Sequence, residues 1–245
     1  MDDLIGQMLG QYEILDEIAR GGMATVYRAR QGSIGRDVAI KVLPAKFTHD
    51  QNFIERFNRE VEVIAQLQHP HILPVYDYGE YDGMPYIVMA FITGGTLTDI
   101  INDGPMPSTD IARMVHQIAD ALDFAHSKGI VHRDFKPSNV LLDERGNTYL
   151  ADFGLAKITE NSSDITGTMI VGTPHFMAPE QARAGDITGS VDVYALGVTI
   201  YQMLTGHAPY EAPTAAGVMV AHITEPIPNI HESRPDLPKV VQAVI

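Results

Sequence analysis

His132-Arg133-Asp134-Phe135-Lys136-Pro137-Ser138-Asn139 is the most informative stretch of this chain. It sets a carboxylate, a lysine two residues on and an amide five residues on into one proline-containing loop. Asp152-Phe153-Gly154 follows, at the end of a short strand predicted over Thr148–Ala151. Asn139 and Asp152 offer hard oxygen ligands of the kind Mg²⁺ takes, and Lys136 offers a point charge for a phosphate. Such a cation normally takes few protein oxygens and lets substrate phosphates complete its shell. Asp134 is left over as a base that orients a hydroxyl.

Asp152-Phe153-Gly154 alone is too short a string to carry weight; its company in the right order carries more. Upstream, Val38-Ala39-Ile40-Lys41 lies on the third of three short β-branched segments, Gln11–Arg20, Ala24–Arg30 and Asp37–Leu43, which read as a meander. Met84–Phe91 is a further strand, and the glycine pair after it in Thr93-Gly94-Gly95 is the best place for a boundary between a small and a larger lobe. Between these strands the spacing of Phe53, Phe57, Val61, Ile64 and Leu67 predicts an amphipathic helix from about Asp50 to Gln68. Glu60 lies on its apolar face. A carboxylate there either keeps its head in water at an edge or meets a cation from elsewhere, because burial alone is costly.

Downstream, Ile111, Val115, Ile118, Ala119 and Leu122 predict a second amphipathic helix, begun by Pro107-Ser108 and ended near Gly129. Ala178-Pro179-Glu180 follows Asp152, and Asp192-Val193-Tyr194-Ala195-Leu196-Gly197 opens a third helix, about Gly189 to Leu204. That helix is apolar on nearly every face and should be central and buried. Asp192 in its first turn then needs donors, and backbone N–H groups of a packed loop are the expected ones.

Composition sets the outer limits. The chain has 245 residues, 45 % hydrophobic and 20 % charged, which is that of a soluble globular protein. With 17 Lys and Arg against 31 Asp and Glu the net charge is −14, so no nucleic-acid partner is expected and any phosphate site must be local. There is no cysteine, which excludes thiolate metal sites and a cysteine nucleophile. The ten histidines show no metal-ligand spacing. Met1-Asp2-Asp3-Leu4-Ile5-Gly6 does not read as a secretory signal, and no stretch approaches the roughly eighteen apolar residues of a membrane span. A cytoplasmic protein is expected, any membrane anchor lying beyond Ile245.

Taken together, these strings resemble the protein kinase family, specifically the eukaryotic-like (Hanks-type) serine/threonine kinases of bacteria, over about residues 11 to 245. The resemblance implies an α+β fold of two lobes: residues 11–92, a small antiparallel β lobe with one helix, and residues 93–245, a larger, mainly helical lobe, with the linker at Met89–Ile92. ATP and Mg²⁺ are the implied cofactors and protein Ser/Thr hydroxyls the implied acceptors. Lys41 would contact the α- and β-phosphates and pair with Glu60. Asn139 and Asp152 would hold Mg²⁺, Asp134 would accept the substrate hydroxyl proton, and Lys136 would neutralise charge on the transferred group. Ile18, Val26, Ala39 and Leu141 would sandwich the adenine, with Met89 behind it and backbone groups of Ala90 and Ile92 meeting its edge. His132 would pack on Phe153.

The glycine loop departs from the family pattern G-x-G-x-x-G-x-V. Ala19-Arg20-Gly21-Gly22-Met23-Ala24-Thr25-Val26 keeps only the middle family glycine, Gly21, with an extra Gly22 beside it. By itself it reads equally as a phosphate cradle or a plain hairpin turn. Lys136 after Asp134, with Gly172-Thr173-Pro174, looks like the Ser/Thr branch, and Thr173 would shape the substrate groove near Asp134 and Lys136. Arg133 beside the base invites an anion. The segment with Ser162, Ser163, Thr166 and Thr168 would supply it by autophosphorylation at Thr166 or Thr168, through transient self-association.

Leu237–Ile245 reads as a helix just beginning. The family continues with that helix, another, and an Arg that pairs with the Glu180 position; Arg234 does not match it. The larger lobe is therefore expected to be shortened, and an unpaired partner of a buried ion pair costs about 3–5 kcal/mol. Two other readings stay open: a non-catalytic ATP-binding scaffold, and a small-molecule phosphotransferase of related fold, against which the Gly172–Glu180 segment argues.

Overall fold

A computed structural model describes residues 4–21, 24–44, 51–153, 174–183 and 185–243. The chain divides into two units. The first takes the described residues through Gln68 together with Ile72–Ile92; the second takes His69–His71 and the described residues from Thr93 onward.

The first unit is one antiparallel sheet of β1 (Met8–Leu9), β2 (Tyr12–Arg20), β3 (Thr25–Gln31), β4 (Arg36–Val42), β5 (Val75–Tyr81) and β6 (Met84–Ala90), with a helix α1 (Gln51–Ala65). The strand order is β1-β2-β3-β4-β6-β5. β1 and β5 are additions to the strands expected from sequence. Alternation decides which side each residue faces: Val38, Ile40 and Val42 of β4, Tyr27 and Ala29 of β3, and Tyr86 and Val88 of β6 join Leu4, Leu9, Tyr12 and Ile14 in one buried cluster. In α1, which packs on β5 and β6, Phe53, Phe57 and Val61 are fully buried, as their spacing predicts. Ile64 and Glu60 are half-buried, so Glu60 sits at the margin of the apolar face.

The second unit is mainly helical: α2 (Leu97–Asn102), α3 (Ser108–Ser127), α4 (Pro179–Ala182), α5 (Ser190–Thr205), α6 (Ala215–Thr224) and α7 (Ile230–Ser233). A two-stranded sheet, β7 (Val140–Leu142) with β8 (Thr148–Leu150), and 3₁₀ turns at Pro137–Asn139, Pro174–Phe176 and Lys239–Ala243 complete it. Thr96 caps α2 in a reciprocal arrangement with Asp99. α5 is buried along most of its length and stops where Gly206 takes a left-handed conformation, φ +85°. Leu237–Ile245 differs from expectation: the described part is the 3₁₀ turn Lys239–Ala243, not an α-helix. Gln242 there accepts from Ile230 N at 2.7 Å, which draws the segment back onto α7. Among the described residues no helix is long and apolar enough to cross a membrane.

Histidines do the joining at one edge. His71 Nδ1 lies 3.0 Å from Thr148 O, and Leu150 N donates to His71 O at 2.9 Å. His69 stacks on Phe124 of α3 and its Nε2 lies 3.1 Å from Asp120 Oδ2. These are packing and hydrogen-bonding roles.

Candidate active site

In the second unit, Pro137–Asn139 turns tightly after Lys136, and the turn brings the three polar residues of the loop together. Lys136 Nζ is 2.7 Å from Asp134 Oδ2, with the two side chains only 20 % and 34 % exposed. Asn139 is buried, and its Nδ2 donates to Asp134 O at 2.8 Å and reaches Oδ2 at 3.5 Å. The amide nitrogen of Asn139 is thus turned inward, and its oxygen is the atom suited to a cation. Ala151 N donates to Asn139 O at 2.9 Å, so Asp152 follows directly after a strand end tied to Asn139.

Asp152 and Arg133 both have positive φ, +66° and +69°, a conformation uncommon outside glycine and costly unless the surroundings hold it. The surroundings do so. Phe153 is buried and lies 4.6 Å from the His132 ring, while His132 Nε2 meets Ala151 O at 2.9 Å. Asp192, 1 % exposed, accepts from His132 N at 2.8 Å and Arg133 N at 2.9 Å. The donors expected for Asp192 are therefore the amides of the informative loop itself.

Leu141 is half-buried on β7 and bridges Thr96. Next to it Gly94 N donates to Leu142 O and Leu142 N donates to Gly95 O, both at 2.9 Å. A Cβ on Gly94 would stand 2.4 Å from Leu142 O, so this close approach requires glycine.

In the first unit, sheet register sorts the remaining residues. Val26 pairs with Lys41, Ala39 with Met89, and Lys41 with Ile87, so Val26, Ala39, Lys41 and Met89 share one face, opposite the buried cluster. Ile18 lies in an irregularity between the Glu17–Tyr27 and Ala19–Val26 pairs and is 48 % exposed, which removes it from the core. Ala19 and Arg20 are exposed at the strand end, where Arg20 Nε donates to Glu17 Oε1 at 2.9 Å. Gly21 N donates to Ala24 O at 2.9 Å, and Arg20 pairs with Thr25, so the described part of the loop is a closed hairpin in which the Gly21 amide is already engaged. Ala90 N donates to Pro74 O at 3.0 Å, and Ile92 is half-buried just beyond. Gly22, Met23, Thr166, Thr168 and Thr173 lie outside the described residues.

Sequence reasoning missed Gln181. Its Nε2 donates to Arg133 O at 2.8 Å and its Oε1 accepts from Ala178 N at 2.9 Å, tying the loop to the start of α4. Its place next to Ala178-Pro179-Glu180 is the one signal the sequence offers. Glu180 Oε1 accepts from Ser190 Oγ at 3.1 Å, while Arg234 is held by Asp236 and Leu204 O, consistent with Arg234 not being the partner of Glu180.

The protein kinase domain family matches residues 12–242. The chain belongs to that family. It is 41 % identical over 238 residues to the probable serine/threonine-protein kinase PknB of Lactococcus lactis, covering 96 % of this chain and 38 % of that protein. It is 38 % identical to the serine/threonine-protein kinase PrkC of Bacillus subtilis, covering 99 % of this chain and 38 % of that one. Among solved structures, the PknI kinase domain of Mycobacterium tuberculosis matches with a TM-score of 0.76 and 31 % identity, over 98 % of this chain and 88 % of that one. The chain is thus a Hanks-type bacterial serine/threonine kinase domain with the two-lobed kinase fold, and it spans about two fifths of the length of these curated relatives.

Proposed function

We propose that this kinase domain transfers the γ-phosphoryl group of ATP to Ser/Thr hydroxyls of protein substrates, with Asp134 as the base. The observation that carries the reading is the Asp134–Lys136–Asn139 arrangement: a carboxylate, an ammonium 2.7 Å from it and an amide that braces their loop. Asp134 accepts the hydroxyl proton as the oxygen attacks the γ-phosphorus and the bond to the β–γ bridging oxygen breaks, ADP leaving, while Lys136 offsets the negative charge on the phosphoryl oxygens. Catalysis is then positioning and electrostatics around an in-line transfer.

The donor set suits Mg²⁺. Among the described residues no group of three His, Cys, Asp or Glu side chains gathers to hold a metal, whereas Asn139 and Asp152 supply two hard oxygens on adjoining segments. That is the sparse set a cation sharing its shell with phosphates uses. When bound there, Mg²⁺ would neutralise phosphate charge. Lys41 contacts the α- and β-phosphates and pairs with Glu60. Ile18, Val26, Ala39 and Leu141 flank the adenine, Met89 closes its rear, and the Ala90 carbonyl and the Ile92 amide meet its edge. Support comes from the shared sheet face of Val26, Ala39, Lys41 and Met89, and from the exposure of Ile18. Autophosphorylation at Thr166 or Thr168, and a groove role for Thr173, complete the reading.

The test is transfer of labelled phosphate from ATP·Mg²⁺ to the purified chain and to a basic test protein. Phosphoserine or phosphothreonine is expected in both, and a folded chain that binds ATP but transfers nothing supports the scaffold reading instead.

A further inference from the structure

The loop that carries Asp134 is not held by its own contacts alone. Asp192, at the start of α5, takes the Arg133 amide on Oδ1 at 2.9 Å and the His132 amide on Oδ2 at 2.8 Å. A third donor shares Oδ2: His126 Nε2, near the end of α3, at 2.8 Å. An ionised carboxylate only accepts, so the imidazole carries its proton on Nε2 and donates it. The ring is seated closely. A Cβ on Gly189 would stand 2.8 Å from His126 Nδ1 and 2.9 Å from Cε1, so the residue before α5 must be glycine for the ring to lie where it does. The ring is 21 % exposed, and the carboxylate it meets is 1 % exposed.

We propose that His126 is a positioning residue for phosphoryl transfer: by donating to Asp192 Oδ2 it fixes the carboxylate that holds the His132 and Arg133 amides, and so sets the placement of Asp134. This rests on the kinase reading above and deepens it. His126 touches no reacting group. Its leverage comes from the conformation it supports, because Arg133 is held at φ +69° by a bond to the same carboxylate. Without the His126 donor, Oδ2 keeps only the His132 amide, and a buried carboxylate short of donors reorients toward others. Arg133 then relaxes, and Asp134, the next residue, moves with it.

Two variants separate this from simple packing. Glutamine at position 126 places its amide nitrogen about as far from Cβ as Nε2 stands, so it keeps the donor and loses the ring. Phenylalanine keeps the ring and loses the donor. A donor role predicts that His126→Phe lowers kcat about tenfold with KM for ATP within about twofold, and that His126→Gln recovers kcat to within about threefold of the unaltered chain. A packing role predicts the opposite order. The proposal is overturned if His126→Phe keeps the original kcat, or if His126→Gln is as slow as His126→Phe. Gly189→Ala, which pushes the ring from its seat, is the second probe should His126→Phe not fold: the same loss confined to kcat is expected, and an unchanged kcat overturns the proposal. An unaltered chain that transfers nothing overturns the kinase reading itself and this inference with it, an outcome distinct from loss of the variant effects alone.

Discussion

Lys136 Nζ stands 2.7 Å from Asp134 Oδ2, a cation and a carboxylate brought together by a turn that also buries Asn139. The pair is partly exposed, and such pairs contribute under about 1 kcal/mol to stability. In the proposed function it places charge, and its contribution to the fold is small. Lys136→Met is therefore expected to lower kcat by about a hundredfold. Its melting temperature should stay within about three degrees of the original. Steady-state kinetics beside a thermal melt check this, and a large loss of stability with kcat preserved contradicts it.

Asn139 braces Asp134 O through Nδ2, and its oxygen is the one proposed to meet a cation. Asn139→Leu leaves a loop carbonyl without its donor, a loss of about 1–3 kcal/mol. It should also raise the Mg²⁺ concentration needed for half-maximal transfer by about tenfold or more. Urea unfolding and a Mg²⁺ titration of the rate read the two effects separately.

Two glycines are expected to respond in opposite ways. A Cβ on Gly94 meets Leu142 O at 2.4 Å and Asp143 O at 2.7 Å, both backbone, so Gly94→Ala should cost about 2 kcal/mol or more. On Gly21 the nearest atom is Ala24 O at 3.5 Å, ordinary contact, and the residue has no positive φ. Gly21→Ala should leave the unfolding midpoint nearly unchanged. If phosphates approach that turn, its effect appears in KM for ATP.

His222 gives the fold a pH dependence with a definite sign. It is buried between Tyr194, whose hydroxyl is 2.6 Å from Nδ1, and the Tyr210 ring at 4.7 Å, and burial pushes the imidazole below its ordinary value of 6.5. As the pH drops below 6.5 the unfolded chain takes a proton that the folded chain refuses, so stability decreases with decreasing pH until the folded value is reached and is constant below it; above 6.5 the contribution vanishes. Replacing His222 with Gln should flatten the change in stability between about pH 7.5 and about pH 5.5. Denaturant unfolding at the two values checks this; an equally steep change in the variant assigns the dependence elsewhere.

Much of this was legible in the chain. The apolar spacing of Phe53, Phe57 and Val61, and of Ile111, Ile118 and Leu122, gave the faces of α1 and α3, because burial of one face leaves a period of three to four. Asp192 was legible as a buried carboxylate in need of amides, since a charge on an apolar helix has few ways to be satisfied. β5 was not, because Val75–Tyr81 lacks the apolar alternation of a buried strand and lies half-buried at the sheet edge. Gln181 and His126 were not assigned their roles either. Each acts through contacts 48 or 66 residues away in the chain, and no local pattern marks such partners. The glycine loop was ambiguous for a physical reason: a hairpin turn and a phosphate cradle need the same small residues.

The most direct test compares the unaltered chain with Asp134→Asn, measuring phosphate transfer to protein Ser/Thr and ATP·Mg²⁺ affinity side by side. If Asp134 is the base, transfer falls by about a thousandfold or more while affinity stays within about twofold. Transfer within about tenfold of the original, at unchanged affinity, contradicts the assignment of Asp134 and the account built on it.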